Sequence, residues 1–142
     1  MSYATLAQLT DRFGEKMLIE LTDRDTPPAD AIDTAVVDRA LADTDAMIDG
    51  FLAGRYALPL ASTPALVADL AQAIAIYKLH REVAAGKIKD DYDAAMRLLE
   101  KIAEGKVRLN VAGIEPASSG SSGVRTNDRA RPLTEDTMKG FI

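Results

Sequence analysis

The stretch from Asp33 to Leu60 constrains the fold of this 142-residue chain more than any other. Apolar side chains recur in it at steps of three and four residues, which places them on one face of an α-helix. The helix is predicted to end at Gly54, and Pro59 prevents its continuation. A helix of about five turns with so wide an apolar face needs other helices to cover it, so the sequence predicts a helical bundle. The residues of the apolar face are Val36, Val37, Leu41, Ile48, Phe51 and Leu52.

Two short helices and a loop are predicted before this central helix. A capping box at Thr5–Gln8 begins the first helix, which ends at Gly14, and residues 15–21 form the second. Residues 22–33 are predicted to be a loop because two consecutive prolines break helical structure. Carboxylates in this loop suit a calcium ion, but the Gly and Glu of an EF-hand are missing, so a solvated capping loop is preferred. The carboxylates are Asp23, Asp25, Asp30 and Asp33.

Two further helices are predicted after the central one, over Pro64–Ala85 and Asp91–Glu104, with a turn between them. Residues 107–111 then alternate apolar and polar side chains, which is the period of a short β-strand. The fold class predicted is therefore all-α. A bundle of four to five helices, residues 1–105, is followed by an extended C-terminal arm, residues 106–142, that includes a short β segment.

The arm combines a linker with an apolar tip. Residues 116–123, PASSGSSG, have the composition of a flexible linker. The tip, residues 129–142, carries apolar side chains without a core of its own, and tethered anchors of this kind dock on partners. We predict that the tip contacts a neighbouring subunit or another protein; the alternative is a disordered tail that carries these apolar residues by chance. The predicted contact residues are Arg129, Arg131, Leu133, Met138, Phe141 and Ile142.

Composition argues against most catalytic and metal-dependent functions. The chain has no Cys and a single His, His80, which leaves little material for a zinc site or a catalytic relay. It also lacks a glycine-rich phosphate loop and a nucleophile elbow. No apolar run approaches the length of a membrane span, and the N-terminus lacks a signal-peptide pattern. We expect a soluble protein made in the cytoplasm, with no enzymatic activity, cofactor or metal.

The charge is distributed unevenly along the chain. Residues 1–105 hold 11 Lys and Arg against 18 Asp and Glu, a balance of −7, whereas residues 106–142 hold 6 against 4, a balance of +2. An acidic body is a poor non-specific binder of nucleic acid, because cations supply most of that affinity. The basic arm is better suited to an acidic partner, such as the body of a neighbouring subunit.

Four stretches of the chain resemble the Mu-like phage and prophage family of head–tail connector proteins: residues 3–25, 36–60, 63–79 and 131–141. The most specific block is IDGFLAGRYALPL, residues 48–60. The four-helix layout is also similar, more distantly, to adaptor proteins of other long-tailed phages. One departure is the loop TPPAD, where relatives often carry a Gly- and Asp-rich turn, and this weakens the calcium interpretation further.

The resemblance implies a structural virion protein in the neck between head and tail, made in the host cytoplasm and without enzymatic activity. It implies a homo-oligomeric ring of about twelve copies, whose unlike surfaces meet head to tail. The implied partners are the portal protein and a tail terminator or stopper protein. DNA would pass through the ring without specific binding.

Arg55 and Tyr56 lie inside the most family-like block, at the end of the central helix. A planar guanidinium holds backbone carbonyls or a carboxylate in a fixed geometry. We predict that the two residues anchor the segment Leu58–Leu60 or a subunit contact. The alternative for Arg55 is a plain surface cation.

A small helical DNA-binding or regulatory protein is the alternative function. Such a protein requires basic residues along one face of a helix. No predicted helix has such a face, because the nearest candidates straddle a helix end and a loop. These candidates are Lys78, Arg81, Lys87 and Lys89.

Overall fold

Five α-helices joined by short loops make up the part of the chain that the computed structural model describes, residues 1–82, 84 and 86–111. These residues contain no β-strand, so the predicted all-α bundle is confirmed. The boundary proposed between body and arm at residue 105 stays a prediction, because residues 112–142 lie outside the described part. The helices are α1 (Leu6–Phe13), α2 (Glu15–Thr22), α3 (Thr34–Leu52), α4 (Ala65–Leu79) and α5 (Lys87–Ala103).

Helix α4 is the centre of the bundle and packs against both α3 and α5. Its buried residues lie all around its surface rather than on a single stripe, as expected of a helix covered on several sides. Ala71, Ala73 and Ala75 are buried, and their small side chains let the neighbouring helices approach α4 closely.

Helix α3 begins at the predicted cap and buries the predicted face. The Asp33 carboxylate accepts hydrogen bonds from the backbone N–H groups of Ala35 (2.9 Å) and Val36 (3.3 Å), which have no acceptor within the helix. Val36 and Phe51 lie at the half-buried edge of the face, and Ala40 and Thr44 join it. Its fully buried apolar side chains are Val37, Ile48 and Leu52, with Leu41 only slightly exposed.

The N-terminal segment is held on α3 by two aspartates. Asp45 accepts a hydrogen bond from the backbone N–H of Tyr3 (2.9 Å), and Asp49 accepts one from the Tyr3 hydroxyl. The pKa of the Tyr3 hydroxyl lies well above its usual range. Burial is the main cause, and the hydrogen bond to Asp49 is the second. The capping box of Thr5 and Gln8 at the start of α1 is present as predicted.

The boundary between α4 and α5 differs from the prediction. Helix α4 ends at Leu79 instead of Ala85. In a continuing helix the backbone N–H of residue 80 would donate to the Ile76 carbonyl. The Nδ1–H of the His80 side chain donates to that carbonyl instead (2.8 Å). The backbone N–H of His80 donates to the Tyr77 carbonyl (3.2 Å). Helix α5 begins at Lys87 rather than Asp91, with Gly86 as its N-cap at φ 63°. The predicted turn over residues 86–90 is therefore mostly helical.

The strand predicted over residues 107–111 is wrong. Leu109 is buried, Val107 and Val111 are half-buried, and Arg108 and Asn110 are exposed. The alternating pattern is thus real, but the segment lies on helices and has no neighbouring strand in the described part of the chain. A period-two pattern indicates which side chains are buried, but a β-strand also needs a neighbouring strand to pair with.

The aspartates of the loop before α3 organise the loop itself. Asp23 accepts hydrogen bonds from the N–H groups of Asp25 (3.3 Å) and Asp30 (2.8 Å), and the Asp33 N–H donates to the Thr22 hydroxyl (3.0 Å). Among the described residues, no three His, Asp or Glu side chains come together as cation ligands. The carboxylates of the loop instead hold its backbone, and the last of them, Asp33, caps α3.

Candidate functional site: the arm anchor and two grooves

Tyr56 holds the segment that follows α5. Its backbone N–H and that of Arg55 both donate to the Leu52 carbonyl (2.9 Å each), so the two residues turn back over the end of α3. The Tyr56 side chain is 5% exposed, and its hydroxyl oxygen accepts a buried hydrogen bond from the Leu109 N–H (3.0 Å). This contact joins positions 53 residues apart in the chain. It fixes residue 109 on the bundle.

Arg55 lies against the same segment, beside Gly105. Gly105 has φ 77°, and a Cβ atom at this position would overlap the Arg55 guanidinium. The backbone conformation at this position favours glycine, and the Arg55 guanidinium fills the space that a side chain would need. Arg55, Tyr56, Gly105 and Leu109 together form what we call the arm anchor. The structure thus places Arg55 and Tyr56 against residues 105–109, and an anchoring of Leu58–Leu60 or a contact with another subunit stays a prediction.

Replacing Gly105 by alanine is expected to destabilise the arm anchor. The left-handed conformation costs a residue with a Cβ about 1–2 kcal/mol, and the Arg55 guanidinium must also move. Thermal or urea unfolding measures the loss. Gly54→Ala is the matched control, because a Cβ added at Gly54 would meet no neighbouring group within 4 Å, and we expect it to change stability by less than about 0.5 kcal/mol. Equal stability of the two variants would contradict the close packing at Gly105.

The predicted contacts of the tip lie outside the described residues and stay predictions. They are Arg129, Arg131, Leu133, Met138, Phe141 and Ile142.

An apolar groove opens between the end of α1, α2 and the start of α5. The half-buried side chains of Phe13, Met17 and Ile88 line it, and its volume is about 470 Å³. Its rim is charged, with an ion pair between Lys87 and Asp91 (2.5 Å). We call this site the α2–α5 groove.

A smaller groove of about 190 Å³ shares Arg12 and Asp91 with the α2–α5 groove. Arg12 forms an ion pair with Asp69 of α4 (2.6 Å), so this rim also carries both signs of charge. Ala94 and Leu98 continue the lining along α5. The two grooves therefore form one extended surface feature that contains apolar side chains between charged ones.

A second type of groove gathers basic residues from three elements. Arg24 precedes α3, Arg39 lies on α3 and Lys78 lies near the end of α4, and all three line a groove of about 300 Å³ with Asp43. The Lys78 ammonium donates to the Asp43 backbone carbonyl (3.0 Å). No periodic pattern in the sequence indicates this basic groove, because its cations come from separate elements. Only the tertiary structure brings them together.

Comparisons with known proteins relate the chain to phages over nearly its whole length. Mu-like prophage FluMu protein gp36 of Haemophilus influenzae is 32% identical over 140 residues, which cover 99% of this chain and 98% of that protein. Gene product J of Escherichia phage Mu is 32% identical over 142 residues, which cover 100% of both chains. No helix in the described part of the chain combines the length and apolar composition of a membrane span. A profile of the family described as Bacteriophage Mu, Gp36 matches residues 3–127, and the chain belongs to this family of phage proteins.

Proposed function

We propose that this protein is a head–tail connector of a Mu-like phage, a structural virion component without enzymatic activity. Copies of the chain form a ring between the portal protein and a tail terminator or stopper protein. The arm anchor is the observation that carries the proposal. Residues 105–109, which Arg55 and Tyr56 hold on the body, and the apolar groove at the other end of α5 are two unlike surfaces, and a ring requires unlike surfaces that meet head to tail.

The charge of the body suits the passage of DNA. Residues 1–105 carry a balance of −7, and exposed carboxylates lie on several helices, among them Asp38 and Asp43 on α3. Like charge repels phosphate, so an acidic channel wall lets DNA slide without adhering. DNA is therefore cargo of the channel and not a specific ligand.

The direct test deletes the gene from an inducible Mu-like prophage that encodes this protein. We expect DNA-filled heads and separate tails in electron micrographs, and restoration of joined particles when the wild-type chain is supplied from a plasmid. Joined, infectious particles without the protein would overturn the proposal. Failure to fill heads with DNA would also count against it, because that phenotype points to packaging.

The isolated chain is expected to be a monomer or a weak oligomer at micromolar concentration. The apolar tip buries too little surface to hold a ring alone, since persistent interfaces bury more than about 1,000 Å². Mass photometry or analytical ultracentrifugation measures the state, with and without portal protein. Rings that form only with portal protein are the expected result, and stable closed rings of the isolated chain would contradict it.

The basic groove favours a second candidate function, DNA binding. Arg24, Arg39 and Lys78 converge within an otherwise acidic body, and such cations contact phosphates. Fluorescence anisotropy with duplex DNA at about 0.15 M salt discriminates the two functions. Binding that Arg39→Glu abolishes would favour this alternative. The control Arg97→Glu alters an exposed cation on α5 that does not line the groove.

A further inference from the structure

The α2–α5 groove and the arm anchor lie at opposite ends of the same helix. Lys87 and Ile88, at the first turn of α5, line the groove, whereas Gly105 follows its last turn. Helix α5 has 17 residues and is therefore about 25 Å long. One end of the body thus holds the base of the arm, and the other end offers an apolar groove. Two different surfaces at opposite ends are what a head-to-tail contact between identical chains requires.

The sequence beyond the described residues supplies an occupant for the groove. Between Val111 and Arg129 lie 17 residues, 112–128, which span at most about 60 Å when fully extended. This reach exceeds the length of α5, so the tip can leave its own body. We propose that the tip, residues 129–142 of one copy, docks in the α2–α5 groove of a neighbouring copy. The inference rests on the proposed function for its choice of a neighbouring copy.

The chemistry of tip and groove is complementary. Leu133, Met138 and Phe141 are apolar anchors that match the half-buried floor of Phe13, Met17 and Ile88. Moving apolar area out of water on both sides drives such docking.

The charged groups of the tip match the mixed rim. The rim offers Asp69 and Asp91 to cations of the tip and Arg12 and Lys87 to its carboxylates, and docking exchanges the ion pairs that these rim groups form with one another. Complementary charge fixes the register of docking more than its strength. A single docked tip is therefore a weak contact, and repetition around a ring makes it effective. The charged residues of the tip are Arg129, Arg131, Glu135, Asp136 and Lys139.

The absence of Cys from the whole sequence permits a clean cross-linking test with the full chain. Met17→Cys places a thiol in the groove, and Met138→Cys places one on the tip. The two variants are purified with affinity tags of different length, mixed at high protein concentration and oxidised. A disulfide between them gives a heterodimer that gel electrophoresis separates from both homodimers, and mass spectrometry identifies the linked peptides. Circular dichroism verifies that each variant keeps the helical content of the wild type.

Ala46→Cys is the matched control for the groove, because residue 46 is exposed on α3 and lines neither part of the groove. We expect at least about tenfold more heterodimer from Met17→Cys than from Ala46→Cys. Adding Phe141→Ser to the Met138→Cys chain should suppress the heterodimer, whereas adding Thr134→Ala should not. These results support docking through the apolar anchors.

Equal heterodimer yields from Met17→Cys and Ala46→Cys would overturn the proposal. A disulfide that forms within the double variant Met17→Cys/Met138→Cys, without heterodimer in the mixture, would also overturn it, since the tip would then occupy its own groove. Cross-linking with purified protein is independent of phage assembly. If the gene deletion prevents joining of heads to tails but no cross-link forms, the connector function stands and the groove is not the receiver of the tip. If the cross-link forms but the gene deletion still gives normal particles, the groove receives the tip and the connector function is wrong.

Discussion

Removal of residues 129–142 is expected to leave a folded helical body while reducing the yield of infectious particles on the order of 100-fold or more. We expect the body to keep its core because the buried cluster that the described residues form, from Tyr3 to Leu109, does not need the tip. In the proposed ring the apolar contacts of the tip recur in every copy, so its removal is expected to weaken all of them together. Circular dichroism measures the fold of the truncated chain, and plaque titre with electron microscopy measures the joining of heads to tails.

A full-length variant separates the chemistry of the tip from its length. Leu133, Met138 and Phe141 are replaced together by serine, which retains the chain but removes the apolar anchors. We expect the same loss of joined particles as in the truncation. The control replaces Thr134 and Thr137 by serine and should assemble normally. Wild-type titres from both the truncated and the triple-serine chains would show that the tip is dispensable.

Replacing Tyr56 is expected to release the base of the arm, with a loss that depends on how much of the side chain is removed. Tyr56→Ala removes a buried ring and leaves a cavity. We expect it to lower the free energy of unfolding by about 3–5 kcal/mol, as is typical when a large buried aromatic side chain is truncated. Tyr56→Phe keeps the ring and removes only the acceptor of the Leu109 N–H. A buried donor without a partner costs about 1–3 kcal/mol. Urea unfolding measures both variants.

Hydrogen exchange shows where the Tyr56 variants act. In Tyr56→Phe we expect the Leu109 amide to exchange faster while amides in α4 keep their relative protection, because the lost bond is local to the arm anchor. Tyr92→Phe is the control. The half-buried ring of Tyr92 stacks on that of Tyr77, with 4.0 Å between the ring centroids, and phenylalanine keeps this contact while losing the hydroxyl. We expect a change below about 0.5 kcal/mol there. Unaltered exchange at Leu109 in Tyr56→Phe would contradict the role of this bond in the arm anchor.

Local signals predicted the helical elements well. The capping box at Thr5, the cap at Asp33 and the apolar face of α3 depend on residues within a few positions of one another, and all three are present. The end of α4 was mispredicted because the His80 side chain takes the place of its own backbone N–H at the Ile76 carbonyl. Propensity and periodicity do not register a competition of that kind between side chain and backbone.

The sequence by itself determined the all-α class, the order of the five helices and the buried face of α3, because helical periodicity and caps are local properties of the chain. Only the tertiary structure decided how distant residues meet. Tyr56 and Leu109 lie 53 residues apart, and no pattern along the chain couples a tyrosine hydroxyl to that N–H. The basic groove likewise exists only because helix packing brings Arg24, Arg39 and Lys78 together. Contacts between distant residues depend on how the helices pack, and packing is a property of the whole bundle rather than of any segment.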